Sequence, residues 1–157
     1  MKKIIIKNKI KSKKGFVLLF AVMISSIILA VSLGVANIAY KEVKFGTSAK
    51  DTNDAFLASD TGAECALNYD KSVVSSNAFT GTAGPNISCA GASITISGSS
   101  SPWSFIIPGL GSLGQGCAKV TVTKTSSTSI VSKGYNTGSP SCTPGSNTVE
   151  RELDVTY

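Results

Sequence analysis

Lys13-Lys14-Gly15-Phe16-Val17-Leu18-Leu19-Phe20 is the stretch that decides the fold, because a lysine-rich segment meets an apolar one there. Seven lysines precede Gly15, and no charged side chain occurs between Phe16 and Tyr40. A bilayer hydrocarbon core about 30 Å thick is crossed by roughly 20 apolar helical residues. Residues 16–40 are therefore long enough to span a membrane. The excess of lysine ahead of them predicts a cytoplasmic N-terminus and translocation of everything after Tyr40.

The formal net charge of +6 does not indicate a nucleic-acid-binding protein. Of the 15 basic residues, seven lie in the first 15 positions, which leaves eight against nine acidic residues, a balance of 8 − 9 = −1. No basic patch with interleaved aromatic residues remains after residue 15. The positive charge is typical of a targeting segment, and no nucleic-acid partner is expected.

The helical pattern continues beyond the apolar segment. Residues 41–70 contain no proline, and small or apolar residues recur at helical spacing. The stripe so formed consists of Ala55, Ala58, Gly62, Cys65 and Tyr69. The opposite side carries Asp54, Asp60, Thr61, Glu64 and Asn68. We therefore predict one helix over residues 16–69, apolar all round at 16–40 and amphipathic at 41–70.

The remaining residues, 71–157, predict a small extracytoplasmic β domain. Short β-prone pieces occur at 72–74, 87–89 and 93–97, and residues 102–116 are expected to form a loop or irregular strand. Strands are predicted at 117–123, 129–134 and 149–157, forming an antiparallel meander. The expected fold class is α+β, with the stripe of the long N-terminal helix packed on this sheet. Asp60 is expected to cap a neighbouring loop or sheet end, and Glu64 to be solvated or bonded to backbone amides; the alternative hypothesis is that Arg151, on the nominally buried face, pairs with one of them.

The four cysteines all follow the apolar segment: Cys65, Cys89, Cys117 and Cys142. An even number in a small translocated domain indicates two disulfides. A metal site is not expected, because the chain has no histidine and no CxxC pair. Three pairings are possible; we favour Cys117–Cys142, closing the loop before the last strand, and Cys65–Cys89, tying the helix end to the following loop.

No catalytic pattern is present in the sequence. It has no histidine, nucleophile elbow or phosphate-binding loop. We therefore expect neither enzymatic activity nor a cofactor. Residues 71–116 are expected to form the variable recognition surface, because loops on a rigid scaffold often carry binding residues.

A basic leader, Gly15-Phe16, an apolar helix and a small β domain together resemble the type IV pilin superfamily. That resemblance implies a leader of residues 1–15, which prepilin peptidase would remove at Lys13-Lys14-Gly15 | Phe16, usually with methylation of the new N-terminus. It further implies storage in the cytoplasmic (inner) membrane and later incorporation into an extracellular filament. The implied partners are the peptidase, other pilin subunits and the pilus assembly machinery.

Phe20 departs from the usual pattern of that superfamily. The fifth mature residue of most pilins is Glu, thought to pair with the N-terminus of a neighbouring subunit. The missing carboxylate and the stretch Ala58-Ser59-Asp60-Thr61-Gly62-Ala63-Glu64-Cys65-Ala66-Leu67 resemble the PilX-type minor pilins and pseudopilins. This resemblance implies a structural subunit in a type IV pilus or related filament, with a role in cell adhesion among the possibilities. The missing carboxylate favours a position at the filament tip.

Two alternatives remain open from the sequence. The apolar segment could be an uncleaved signal anchor for a surface binding domain that never polymerises. Leu33-Gly34-Val35-Ala36 could instead be a signal-peptidase site that releases a secreted module beginning at Asn37. Processing between Gly15 and Phe16 distinguishes both from the filament subunit.

Overall fold

A computed structural model describes residues 14–71, 78–81 and 86–157 of the chain. The described elements are one helix and six strands: α1 (Lys14–Lys71), β1 (Asn86–Cys89), β2 (Ala92–Thr95), β3 (Trp103–Leu110), β4 (Gly116–Lys124), β5 (Thr128–Tyr135) and β6 (Glu150–Thr156). The chain divides into two compact units, Met1–Phe45 and Gly46–Tyr157. Lys13 and most of the predicted leader lie outside the described residues, as does the predicted strand at 72–74.

The strands form two antiparallel sheets. β1 and β2 make a hairpin, while β3, β4, β5 and β6 form a four-stranded sheet in sequence order. α1 packs on this small sheet, which confirms the α+β class and the long N-terminal helix. The three predicted strands of the meander correspond to β4, β5 and β6.

Of the two alternatives predicted for residues 102–116, a loop or an irregular strand, the structure has a strand with an irregularity near its end over Trp103–Leu110. β3 is an eight-residue strand that pairs with β4 from Trp103 onward. Trp103, Phe105 and Ile107 alternate with less buried neighbours and point into the core. Pro108 is tolerated because β3 lies at an edge of the sheet, and the pairing shifts between Pro108 and Leu110. Gly109, with φ of 73°, adopts the left-handed backbone required at this irregularity.

The helix contacts the sheet through small side chains. Ala55, Ala58 and Gly62 of the predicted stripe are buried, and Cys65 and Tyr69 at its end are partly buried. The buried face is broader than predicted and also includes Ser59, Ala63 and Ala66. Small side chains let the backbone of α1 and the backbone of the sheet approach closely. The contact between helix and sheet is therefore flat.

Gly134 of β5 is the point of closest approach. A Cβ atom at Gly134 would overlap the carbonyl oxygen of Ala55 and the amide nitrogen of Ser59. One turn farther along the helix, a Cβ at Gly62 would overlap the Ser132 hydroxyl. Gly134 thus faces the helix backbone and Gly62 faces side chains of the sheet, and a larger residue at either position would separate helix and sheet.

The apolar core lies mainly between α1 and β3–β5. Phe105, Ile107, Val120, Val122 and Ile130 have at most 2% of their surface exposed. Phe79, which the sequence analysis did not place, is fully buried, and its ring centroid lies 6.2 Å from those of Trp103 and Phe105. The short segment 78–81 thus contributes a large side chain to a core that is otherwise built on the sheet.

Two disulfides join Cys65 to Cys89 and Cys117 to Cys142. These are the pairs that the sequence analysis favours. The first connects α1 with β1, and the second connects the start of β4 with the loop before β6. Each constrains about 25 residues in the unfolded chain.

The predicted pairing of Arg151 with Asp60 or Glu64 was wrong. Arg151 lies in β6 opposite Gly134, but its side chain is exposed. Leu153 and Val155 are the partly buried residues of β6. The apolar face that the alternation predicts for this strand is therefore buried only in part. Burying a guanidinium costs much more than leaving it in water at the edge of the sheet.

Replacing Gly134 with Ala is expected to lower the free energy of unfolding by about 2 kcal/mol or more, because the new methyl group must displace the helix backbone. Gly145→Ala is the matched control, since its Cβ would lie 3.7 Å from the nearest atom, an ordinary contact. Denaturant unfolding of the full chain in detergent, followed by near-ultraviolet circular dichroism, measures both. Equal stability of the two variants would contradict the proposed backbone contact.

Peptide mapping without reduction is expected to recover a peptide that links Cys65 with Cys89 and another that links Cys117 with Cys142. Replacing both Cys117 and Cys142 with Ala is expected to lower the free energy of unfolding by about 3 kcal/mol, through the entropy of the released loop. The corresponding Cys65 and Cys89 double variant is the comparison, because its loop has nearly the same length. Recovery of a peptide joining Cys65 to Cys142 would contradict the assignment.

Candidate functional site

The N-terminal unit presents an apolar helical surface. Every side chain described from residue 16 to residue 45 is exposed, including Phe16 and Phe20. α1 contains a segment near the N-terminus that is long and apolar enough to cross a membrane. Exposed apolar surface of this extent is unfavourable in water and requires lipid or protein around it.

The few hydroxyl groups in this segment are compatible with an apolar environment. Ser25 donates a hydrogen bond to the Val22 carbonyl oxygen at 3.0 Å, and Ser26 donates to that of Met23 at 2.8 Å. Ser32 donates to the Ile28 carbonyl oxygen, also at 2.8 Å. Each donor is thus satisfied within the helix, so burying this surface in lipid or among other helices leaves no unpaired serine hydroxyl donor.

The predicted processing residues lie at the beginning of α1. The helix begins at Lys14, so Gly15 and Phe16 belong to its first turn. Phe20 lies four residues after Phe16 and therefore shares a helical face with it. Because residues 16–40 contain no carboxylate, this face has no negative charge with which to pair an amino group.

A polar cluster joins the end of α1 to the sheet. The Tyr157 hydroxyl donates a hydrogen bond to Asp70 at 2.6 Å, and Lys124 of β4 forms an ion pair with the same carboxylate. The ammonium of Lys71 lies 3.7 Å from the centre of the Tyr157 ring. Partial burial, followed by the bond to Asp70, raises the pKa of Tyr157. The sequence analysis did not identify this cluster, because its members are far apart in the chain and lack a local spacing pattern.

Tyr69 links the same end of the helix to the β1–β2 hairpin. Its hydroxyl accepts a hydrogen bond from the Ser88 amide at 3.0 Å and donates one to the Ser88 carbonyl oxygen at 3.2 Å. The Cys65–Cys89 disulfide lies one helical turn away. Together these contacts fix the hairpin to α1 by one covalent and two polar links.

The sheet surface that faces away from α1 is charged. Lys133 lies between Glu150 and Glu152, with each nitrogen–oxygen distance 3.0 Å. The hydrogen bond that Lys133 donates to Glu150 is the main reason that the pKa of Lys133 is raised and that the pKa of Glu150 is lowered. Burial raises the pKa of Tyr135, with a further contribution from Glu150. These groups satisfy one another, as expected of a surface ion-pair network.

Asp60 and Glu64, the carboxylates one turn apart on α1, are half-buried and exposed respectively. Within residues 14–71, 78–81 and 86–157, no cluster of three or more His, Cys, Asp or Glu residues could hold a metal ion. The arrangement of the described side chains thus offers surfaces and cross-links, without a convergent set of reactive groups in the described part of the chain.

Comparisons with protein-family models, with curated proteins and with solved structures find no match to this chain. The functional interpretation therefore depends on the sequence pattern and on the surfaces described above.

The raised pKa of Tyr157 leads to a test of the polar cluster. A pKa that is higher in the folded state means that the stabilising contribution of Tyr157 is complete below its unfolded pKa of about 10 and is lost as the pH rises above that value. The free energy of unfolding is therefore expected to fall more steeply above about pH 10 in the unmodified protein than in Tyr157→Phe. Denaturant titrations across this range measure the difference. Identical alkaline slopes would show that Tyr157 does not donate to Asp70.

Proposed function

We propose that this chain is a PilX-like minor pilin or pseudopilin, a structural subunit of a type IV pilus or a related filament. In this proposal prepilin peptidase removes residues 1–15 at the cytoplasmic face of the inner membrane. The mature subunit is held there by residues 16–40, and the assembly machinery then transfers it into an extracellular filament. The chain has no enzymatic role in this scheme.

The observation that carries the proposal is the division of α1 into two kinds of surface. Residues 16–40 present large apolar side chains without any charge, whereas residues 55–66 present small side chains to the sheet. A subunit that leaves lipid must exchange one apolar environment for another, and the uncharged segment with internally bonded serines is suited to both.

The folded unit supports a location outside the cytoplasm. Disulfides persist mainly in oxidising compartments, and the four cysteines lie in the predicted extracytoplasmic region. In the proposal they hold the β domain together while it is displayed on the filament.

Phe20 favours a position at the tip of the filament. A shaft subunit of the usual kind uses a carboxylate at this position to pair with a neighbouring N-terminus, and Phe20 cannot form that pair. A subunit at the tip has no neighbour ahead of it and does not need the carboxylate.

Immunogold labelling of sheared filaments is expected to mark their ends, with little labelling along the shaft.

Processing is the first experiment. Intact-mass measurement and N-terminal sequencing of the chain purified from membranes of its native host, or of a host that carries prepilin peptidase, are expected to give a mature start at Phe16, with or without one methyl group. Gly15→Leu should block this cut, because the bulky side chain occupies the small position before the scissile bond. Gly34→Leu is the matched control: the surroundings of Gly34 are open, so the cut should still occur.

Two other N-termini of the purified chain would each contradict the proposal. A start at Met1 in a host with active prepilin peptidase would identify a signal-anchored surface domain and contradict the proposal. A start at Asn37 would identify a secreted module and contradict it too. Cleavage of Gly15→Leu at the normal position would show that the cut does not depend on the small residue.

A further inference from the structure

The face of the four-stranded sheet opposite α1 carries two adjoining concavities that the proposed function does not use. The first, of about 320 Å³, lies between β2, β3 and β4, and the second, of about 310 Å³, lies over β4 and β5. Lys119 of β4 lines both of them. We call these two concavities, which share Lys119 as a lining residue, the outer groove.

Lys119 has an unusual electrostatic environment. It is directly opposite Lys133 in the pairing of β4 with β5, and like charges opposite one another are unfavourable. Lys133 is neutralised by Glu150 and Glu152, each 3.0 Å away. Lys119 takes part in none of the ion pairs found in the described part of the chain. The outer groove therefore has an exposed cation without a counter-ion among the described residues.

The remaining lining combines hydroxyl groups with a small apolar surface. The hydroxyls of Ser93, Ser97, Ser104 and Thr121 line the groove and make no side-chain hydrogen bond within the described residues. Ile106 and Pro108 from β3 and Val131 from β5 provide the apolar part. A ligand that fits this lining has many hydrogen-bonding groups, an apolar face and a negative charge.

We infer that the outer groove binds a carboxylated saccharide, with Lys119 contacting the carboxylate and the serine and threonine hydroxyls contacting the sugar hydroxyls. A sugar ring presents both hydroxyl groups and a C–H face, which matches Ile106 and Val131 on the groove floor. The inference extends beyond filament assembly, and it is independent of how the N-terminus is processed.

An acidic peptide fits less well. Extended peptides usually bind to a sheet by adding a strand at an edge, where main-chain groups are free. The outer groove lies on a face, and the main-chain groups of β4 are already paired with β3 on one side and with β5 on the other. Over β4 a peptide would have to bind through its side chains alone, and at the edge strand β3 the bridge between Ser97 and Ser104 already occupies part of the free side.

The test measures binding of the full chain in detergent micelles to immobilised oligosaccharides that contain galacturonic, glucuronic or sialic acid. Each is compared with the same compound in which the carboxyl group is methyl-esterified, which removes the negative charge and leaves the sugar hydroxyls unchanged. At least one acid form is expected to bind about tenfold or more tightly than its ester, and the difference should shrink as salt is raised. Polyglutamate serves as the acidic peptide.

Lys119→Gln is expected to remove the preference for the acid form, and Lys119→Arg to retain it. Lys50→Gln makes the same change of charge on α1, outside the outer groove, and should bind like the unmodified protein. Circular dichroism of each variant verifies that it is folded. The inference is overturned if no acid form is preferred over its ester, if folded Lys119→Gln binds unchanged, or if polyglutamate binds as tightly as the sugars.

Discussion

The folded unit depends on one close contact between two backbones, where α1 crosses β5. Gly134 leaves no side chain between the sheet and the helix at Ala55 and Ser59, and Gly62 does the same near Ser132. This contact sets the distance between the helix and the sheet. The core residues of β4 and β5 can then reach the helix with Val120, Val122 and Ile130, which are shorter than Leu or Met. A larger separation of helix and sheet would leave these core side chains underpacked.

A sheet with so little apolar volume needs support at its margins. The two disulfides, the bonds of Tyr69 to Ser88 and the cluster around Asp70 all lie near the periphery of the apolar core. Each connects segments that are distant in the chain, and so each limits the freedom of the unfolded state or satisfies a polar group near the core. The opposite face of the sheet carries the Cys117–Cys142 disulfide, with Tyr135 and Ile106 packed beside it, and next to them the outer groove. On this face charge and concave shape can serve recognition.

Several features could be predicted from the sequence because they repeat with a fixed local period. Ala55, Ala58 and Gly62 reveal the buried face of α1, and the alternation around Val120 and Val122 reveals β4. For β3 the sequence left a loop and an irregular strand as alternatives, because Pro108 and the glycines after it are typical of loops, although Trp103, Phe105 and Ile107 alternate as a strand does. The Arg151 prediction failed because alternation assigns a face without regard to the cost of burying charge. The Asp70 cluster and the outer groove have no local period, so no pattern predicted them.

By itself the sequence determined the charge-free segment 16–40, the single long helix and the α+β class. These follow from composition and from periods of two and 3.6 residues, which each segment expresses without its neighbours. The tertiary structure alone decided that β3 forms an edge of the sheet, that Phe79 enters the core, that Asp70 meets Tyr157 and that Lys119 forms no ion pair among the described residues. Such contacts join residues that are far apart in the chain. They depend on strand order and on the separation of helix and sheet, which exist only once the chain has folded.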